Sequence, residues 1–137
     1  MLWDDYRKAL LALVCWREAG NQPREGQRAV MHVIRNRVNG NWGTWEHVIC
    51  SPNQFSSMTI KGDSNLLRWP KSPDAAFDQI LQLVDGIWDG SDEDITNGAL
   101  YYYNPEIATS EWFTTNIAQN TAEHPQVAQI GAHVFFA

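Results

Sequence analysis

Chemistry in this chain starts from Glu18. Trp3, Tyr6, Leu10, Leu13 and Val14 recur at helical spacing, so Glu18, four residues past Val14, extends the buried side of that helix and is expected to face the core or a cleft. Gly20 and Asn21 both tolerate the left-handed conformation that ends helices, and Pro23 suits the opening of a second helix, which puts Glu18 in the last turn of the first. A carboxylate there opposes the helix macrodipole. The dipole and partial desolvation both raise a carboxyl pKa, the property a general acid needs near neutral pH. The competing reading is an ion pair with Arg17, Arg24 or Arg28 on a solvated face.

The residues downstream fall into short motifs. Pro23-Arg24-Glu25-Gly26-Gln27-Arg28-Ala29-Val30 is followed by Asn36-Arg37-Val38 and then by Gln54-Phe55-Ser56. The last third carries Gly98-Ala99-Leu100-Tyr101-Tyr102-Tyr103-Asn104-Pro105, then Trp112, and closes on Ile130-Gly131-Ala132-His133-Val134-Phe135. This order resembles the SleB/CwlJ-type cell-wall hydrolases, a family of spore-cortex-lytic enzymes and related bacterial and phage lysins, over about residues 10–136. The combination is specific; no single piece, such as Gln-Phe-Ser, is diagnostic. The resemblance implies a lysozyme-like or lytic-transglycosylase-like α+β domain, predominantly helical, with Glu18 at the position of the catalytic acid. One departure stands at the turn after Glu18. The family pattern there is Glu-Ala-Arg-Gly-Glu, whereas this chain reads Glu18-Ala19-Gly20-Asn21-Gln22, without the arginine and the second acid.

Conventional glycosidases use two carboxylates, and the resemblance marks only one. Asp63, Asp74, Glu106 and Glu111 are available as a second but lie outside the motifs, where solvated surface charge is the ordinary role. Lytic transglycosylases need one, because the 6-hydroxyl of the muramyl sugar closes onto C1 after the acid protonates the glycosidic oxygen. The expected reaction is therefore cleavage of the N-acetylmuramic acid to N-acetylglucosamine β-1,4 bond with Glu18 as acid and then base. A hydrolytic muramidase and a catalytically silent glycan-binding module are the alternatives.

Substrate-binding candidates follow from donor and acceptor chemistry. The amides of Gln54 and Asn104 donate and accept, as recognition of N-acetyl groups and hydroxyls requires. Tyr102 or Tyr103 resembles the tyrosine that precedes asparagine in lysozyme-like transglycosylases. If residues 101–103 are extended their side chains alternate, and only one set is expected to line the cleft. Phe55, Ser56, Trp112 and His133 complete the set, although His133, in a turn, equally suits a structural hydrogen bond.

Composition narrows the rest. The 137 residues, 44% of them hydrophobic, suit one domain with an ordinary core. A net charge of -6 argues against a nucleic-acid partner, and seven Trp, four Tyr and five Phe supply a core with faces to spare for sugar rings. The expected partner is the glycan strand of peptidoglycan, with the enzyme a monomer and no cofactor. His47 and Cys50 are the only pair at metal-ligand spacing, so no metal centre is expected, and the acidic cluster of residues 91–94 is read as a solvated loop with at most loose calcium binding. Ala9 to Cys15 is an apolar run of seven residues without a cleavage site, read as mature structure and not as an export signal. No stretch reaches transmembrane length. Access to the wall then requires phage delivery, lysis or another route. Cys15 and Cys50 are expected to be free thiols.

Helices are expected over about residues 23–38, with Val38 on the core face, over 45–50 capped by Thr44, and from a Ser72-Pro73-Asp74 start with Ser72 as cap to a stop at Gly90. Residues 61–70 read as a surface loop. Residues 127–136, broken at Gly131, read as a hairpin.

Overall fold

The computed structural model describes residues 2–52, 54–107 and 109–137, with Leu2 described by its backbone alone. The architecture is α+β and mainly helical, as the motif pattern implies. Helix α1 (Leu2–Ala19) packs against α2 (Arg24–Asn39), α3 (Trp45–Cys50), α4 (Ser56–Thr59) and α5 (Ala75–Asp89). Among the described residues no helix is long and apolar enough to cross a membrane.

The buried stripe of α1 begins at Leu11 and runs through Val14 and Cys15 at i, i+3 and i+4, meeting Val30, Ile34, Ile80 and Ile87 of α2 and α5. Each such side chain contributes about 1.5–3 kcal/mol when fully withdrawn from water. The expected inclusion of Trp3 and Tyr6 is corrected: they are 69% and 49% exposed and pack edge-to-face on each other. The stripe still brings Glu18, three residues after Cys15, to a half-buried position at the edge of the core.

Gly20 closes α1 without the expected left-handed turn, since neither it nor Asn21 has a positive φ. Its amide donates to the Trp16 carbonyl at 3.0 Å, and a Cβ added there would lie 2.4 Å from that oxygen. Close approach is the reason for glycine here. Pro23 is the residue immediately before α2, and α3 is capped by the Thr44 hydroxyl, which accepts from His47 N at 3.3 Å. The start of α5 is also corrected. Asp74, not Ser72, is the cap: its Oδ1 accepts from Phe77 N at 2.9 Å and from Trp16 Nε1 at 3.3 Å, tying α5 to α1. A carboxylate bonded to both elements outcompetes a serine two residues earlier. Gly90 ends α5 at φ 80.

The C-terminal hairpin forms as β2 (Gln126–Ile130) and β3 (His133–Phe136) around Gly131 at φ 57. A third strand, β1 (Tyr101–Tyr103), pairs antiparallel with the far side of β3, giving the order β1-β3-β2 with Tyr102 opposite Phe135. Phe135 then packs with Ala29 and Val33, which seats the sheet on α2. Between β1 and β2 a short helix, α6 (Glu111–Phe113), continues into a π-helical turn over Thr114–Ala118.

Two loops are fixed by buried polar groups. Residues 61–73 are held by Arg17, whose guanidinium donates twice to the Arg68 carbonyl and once to that of Ser57. The acidic loop before β1 is docked onto α2: Asp92 pairs with Arg28 at 3.0 Å and His32 at 2.7 Å, and Asp94 accepts from Asn36, Thr96 and Gly98. Cys15 is buried, Cys50 is exposed, and they are not bonded to each other.

Gly20→Ala is expected to destabilise the fold by roughly 1–3 kcal/mol, the usual cost of forcing extra volume into a closed space. Urea denaturation would read this as a lower midpoint at an unchanged slope.

Candidate active site

A cleft of about 820 Å³ opens between the end of α1, the loop around α4, β1 and α6. Glu18, Gln54, Phe55, Ser56, Tyr102 and Trp112 line it, together with Arg37, Trp42, Ile60, Tyr101, Ser110 and Phe113. Glu18 is the only carboxylate among the described lining residues.

Burial is the largest influence on Glu18 and pushes its carboxyl pKa up. The negative charge of Asp63 acts in the same direction, while Ser57 and Tyr102 oppose it through hydrogen bonding to the charged form. Tyr102 donates its phenol to Glu18 Oε1 across a long 3.4 Å. The buried Ser57 hydroxyl has no partner at full hydrogen-bond geometry among the described residues, so its hold on the carboxylate is also loose. None of the three neighbouring arginines neutralises Glu18. Arg17, the adjacent residue, spends its donors on backbone carbonyls and on Met58 Sδ. Arg24 and Arg28 pair instead with Glu25 and Asp92.

Tyr102 is placed by the register of β1 on β3. Its ring packs tilted on Phe135 at 5.8 Å and edge-on to His133 at 5.1 Å. Burial, then the nearby Glu18 charge, raises its phenol pKa well above the usual value, so it stays a proton-bearing donor. Asp63 lies outside the lining: its Oδ2 accepts from Ser56 at 2.7 Å and its Oδ1 from Asn65 N at 2.8 Å. Asp74 caps α5. Glu106 and Glu111 are exposed and do not line the cleft.

Three candidates from the sequence do not line the cleft. Tyr103 packs on Phe113 and Phe136, in the small cluster under α6 that it shares with Tyr101. The Asn104 side chain closes its own turn by accepting from Glu106 N at 2.9 Å. His133 is buried beneath Tyr102 and Phe135, and burial lowers its pKa. The expectation that only one alternating set faces the cleft is corrected as well, since consecutive Tyr101 and Tyr102 both line it. A three-residue strand at the sheet edge borders the cleft on both of its faces.

Arg37 and Trp42 line the cleft but lie outside the sequence-derived site candidates, although Arg37 stands in the motif Asn36-Arg37-Val38. Arg37 is buried on the apolar side of α2, four residues past Val33, whereas Val38, expected on the core face, is only half-buried. A charged residue at core spacing was the available signal. Among the described residues no group of His, Cys, Asp and Glu is arranged to hold a metal ion.

Comparison with known proteins gives a consistent picture. A family model described as Cell Wall Hydrolase matches residues 21–136, a span that begins just after Glu18. The spore cortex-lytic enzyme of Oceanobacillus iheyensis is 37% identical over 128 residues, covering 92% of this chain and 40% of that protein. That of Bacillus subtilis is 34% identical, covering 92% and 36%. The chain thus spans about two fifths of the length of the curated relatives it matches. Among solved structures, the catalytic domain of the Bacillus cereus SleB protein aligns with a TM-score of 0.65 at 32% identity, covering 96% of this chain and 89% of that one. The catalytic domain of the germination-specific lytic transglycosylase SleB from Bacillus anthracis gives 0.67 at 31%, covering 96% and 93%.

The raised Glu18 pKa has a stability consequence. A carboxyl with a higher pKa folded than unfolded adds stability that is full below the unfolded pKa of about 4.3 and lost as pH rises through the folded pKa. Glu18→Gln stays neutral throughout. Its urea midpoint is expected to gain on the wild type as pH rises from about 4.3 through the folded pKa of Glu18 and then to hold a constant lead. A difference independent of pH would mean the carboxyl titrates normally.

Proposed function

The chain belongs to the cell-wall hydrolase family, and from that membership we propose that it is a single catalytic domain that cleaves the glycan strand of peptidoglycan between N-acetylmuramic acid and N-acetylglucosamine. Glu18 is the general acid. The observation that carries this reading is an uncompensated, largely buried carboxyl with a raised pKa in a cleft that contains no other carboxylate among its described lining residues. At neutral pH such a group retains more of its proton than an exposed glutamate and delivers it where bulk water is partly excluded.

The reaction is read as a lytic transglycosylation. Glu18 transfers its proton to the glycosidic oxygen as the bond from C1 of the muramyl sugar breaks. The 6-hydroxyl of the same sugar attacks C1, and its proton passes to the Glu18 carboxylate, restoring the acid. No water is consumed, and the muramyl end leaves as a 1,6-anhydro sugar. Tyr102 supports the cycle by offering a hydrogen bond to whichever form of Glu18 is charged. Trp112, 62% exposed at the rim, offers a ring face to the sugars, while the buried Phe55 backs the cleft floor. The position of Asp63 favours one carboxylate over two, because Asp63 is not among the described residues that line the cleft.

Glu18→Gln is expected to lower turnover of purified peptidoglycan by about 10²- to 10⁴-fold while the fold persists. Asp63→Asn is expected to keep most of the activity. Mass spectrometry of the released fragments distinguishes the chemistries. Anhydro ends support the proposal, hydrated reducing ends alone indicate a hydrolytic muramidase, and full activity in Glu18→Gln removes Glu18 from the mechanism.

A further inference from the structure

Two arginines are more than nine-tenths buried next to the cleft, and they are used differently. Arg17 commits Nε, Nη1 and Nη2 to protein acceptors, as a structural clamp should. Arg37, 7% exposed, makes two hydrogen bonds among the described residues: Nε to the Leu100 carbonyl at 2.8 Å and Nη1 to Gln54 Oε1 at 3.2 Å. A guanidinium carries five N–H donors, so three remain on its Nη1–Nη2 edge. Arg37 lines the cleft and forms no ion pair within 4.0 Å among the described residues. Its charge is instead surrounded by ring faces, with Trp42 at 4.8 Å, Phe55 at 5.5 Å and Tyr101 at 5.6 Å. Those rings also line the cleft.

A buried cation without a counter-charge is costly, and rings offset that cost only in part. The chemistry that completes such a recess is a small carboxylate, which fits the planar fork with two parallel hydrogen bonds. A neutral amide satisfies donors but leaves the charge unbalanced. Within the proposed substrate, the N-acetyl groups are neutral and occur on both sugars. The lactyl ether is found on the muramyl sugar alone and combines a methyl group with an acid carbon. The methyl suits the aromatic walls, and the acid suits the Nη edge.

We propose that Arg37, walled by Trp42 and Tyr101, forms a carboxylate subsite that receives the lactyl group of a muramyl residue. This rests on the glycan-cleaving reading above and adds a selectivity to it. The lactyl acid is free only where its amide to the stem peptide has been hydrolysed, so amide hydrolysis is the class of reaction that supplies the preferred strand.

The test reads binding without turnover, so it stands or falls independently of the cleavage chemistry. The wild-type chain is titrated with sodium D-lactate at constant ionic strength while the Trp42 indole and Arg37 Nε–H resonances are followed by NMR, with D-lactamide as the neutral control. A saturable shift of both signals, with lactamide at least about tenfold weaker, is the expected result, a tenfold ratio being ~1.4 kcal/mol. Arg37→Gln is expected to abolish the lactate response and Arg37→Lys to retain a weaker one. Because the decisive comparison uses the wild type, an unfolded variant does not rescue the idea. Equal responses to lactate and lactamide, or none at these two signals, would overturn it. In kinetics, glycan strands with free lactyl acids should show a kcat/KM about tenfold or more above the same strands amidated, and a ratio near one would also overturn it.

Discussion

The structure depends on keeping one carboxyl out of water without giving it a counter-charge. Glu18 sits in the final turn of α1, where the helix dipole is unfavourable to an anion, and burial raises its pKa further. An arginine adjacent in sequence would undo this if it turned inward. Arg17 is instead drawn to the carbonyls of Arg68 and Ser57, which removes the nearest cation and pins the loop 61–73 in the same act. The close packing at Gly20 lets the chain leave the helix at once, so that Glu18 ends at the cleft and not inside a longer helix.

The far wall of the cleft is held by a second polar system. Arg28, His32 and Asn36 stand one turn apart on α2 and grip Asp92 and Asp94. That grip fixes the segment leading into β1. The Arg37 bond to the Leu100 carbonyl continues the series by one more residue. The strand that follows brings Tyr101 and Tyr102 to the cleft, and its pairing with β3 stacks Tyr102 on Phe135. The acidic cluster, which resembles a solvated loop in sequence, is therefore part of what positions Tyr102 against Glu18. The carboxylates of Asp92 and Asp94 are occupied by protein donors.

The two halves of the site thus have different physical origins. The acid is delivered locally, by a helix and the turn that ends it. The groups that face it come from a short edge strand, a loop and the short helix α6, whose positions rest on contacts between residues far apart in the chain. This division also separates the two buried arginines: among the described residues Arg17, which clamps backbone, makes four hydrogen bonds, whereas Arg37, which lines the cleft, makes two.

The sequence by itself determined helices α1, α2, α3 and α5, the hairpin and the place of the Glu18 carboxyl, because each is written in local terms. Apolar residues at i, i+3 and i+4, the Thr44 cap and the Gly90 and Gly131 turns need no distant partner to be read. Glu18 is legible for the same reason, being a charge at core spacing next to a helix end. Tertiary structure alone decided which of the motif residues meet it. Gln54 and Tyr102 reach the cleft, whereas Asn104 and His133 do not, and nothing local separates these cases. The register of Tyr102 on Phe135 and the seat of Phe135 on Ala29 and Val33 make the choice. Arg37 belongs to the same class. Its spacing says only that a cation is buried, and whether that cation clamps backbone like Arg17 or faces a cleft depends on which carbonyls the fold brings within reach.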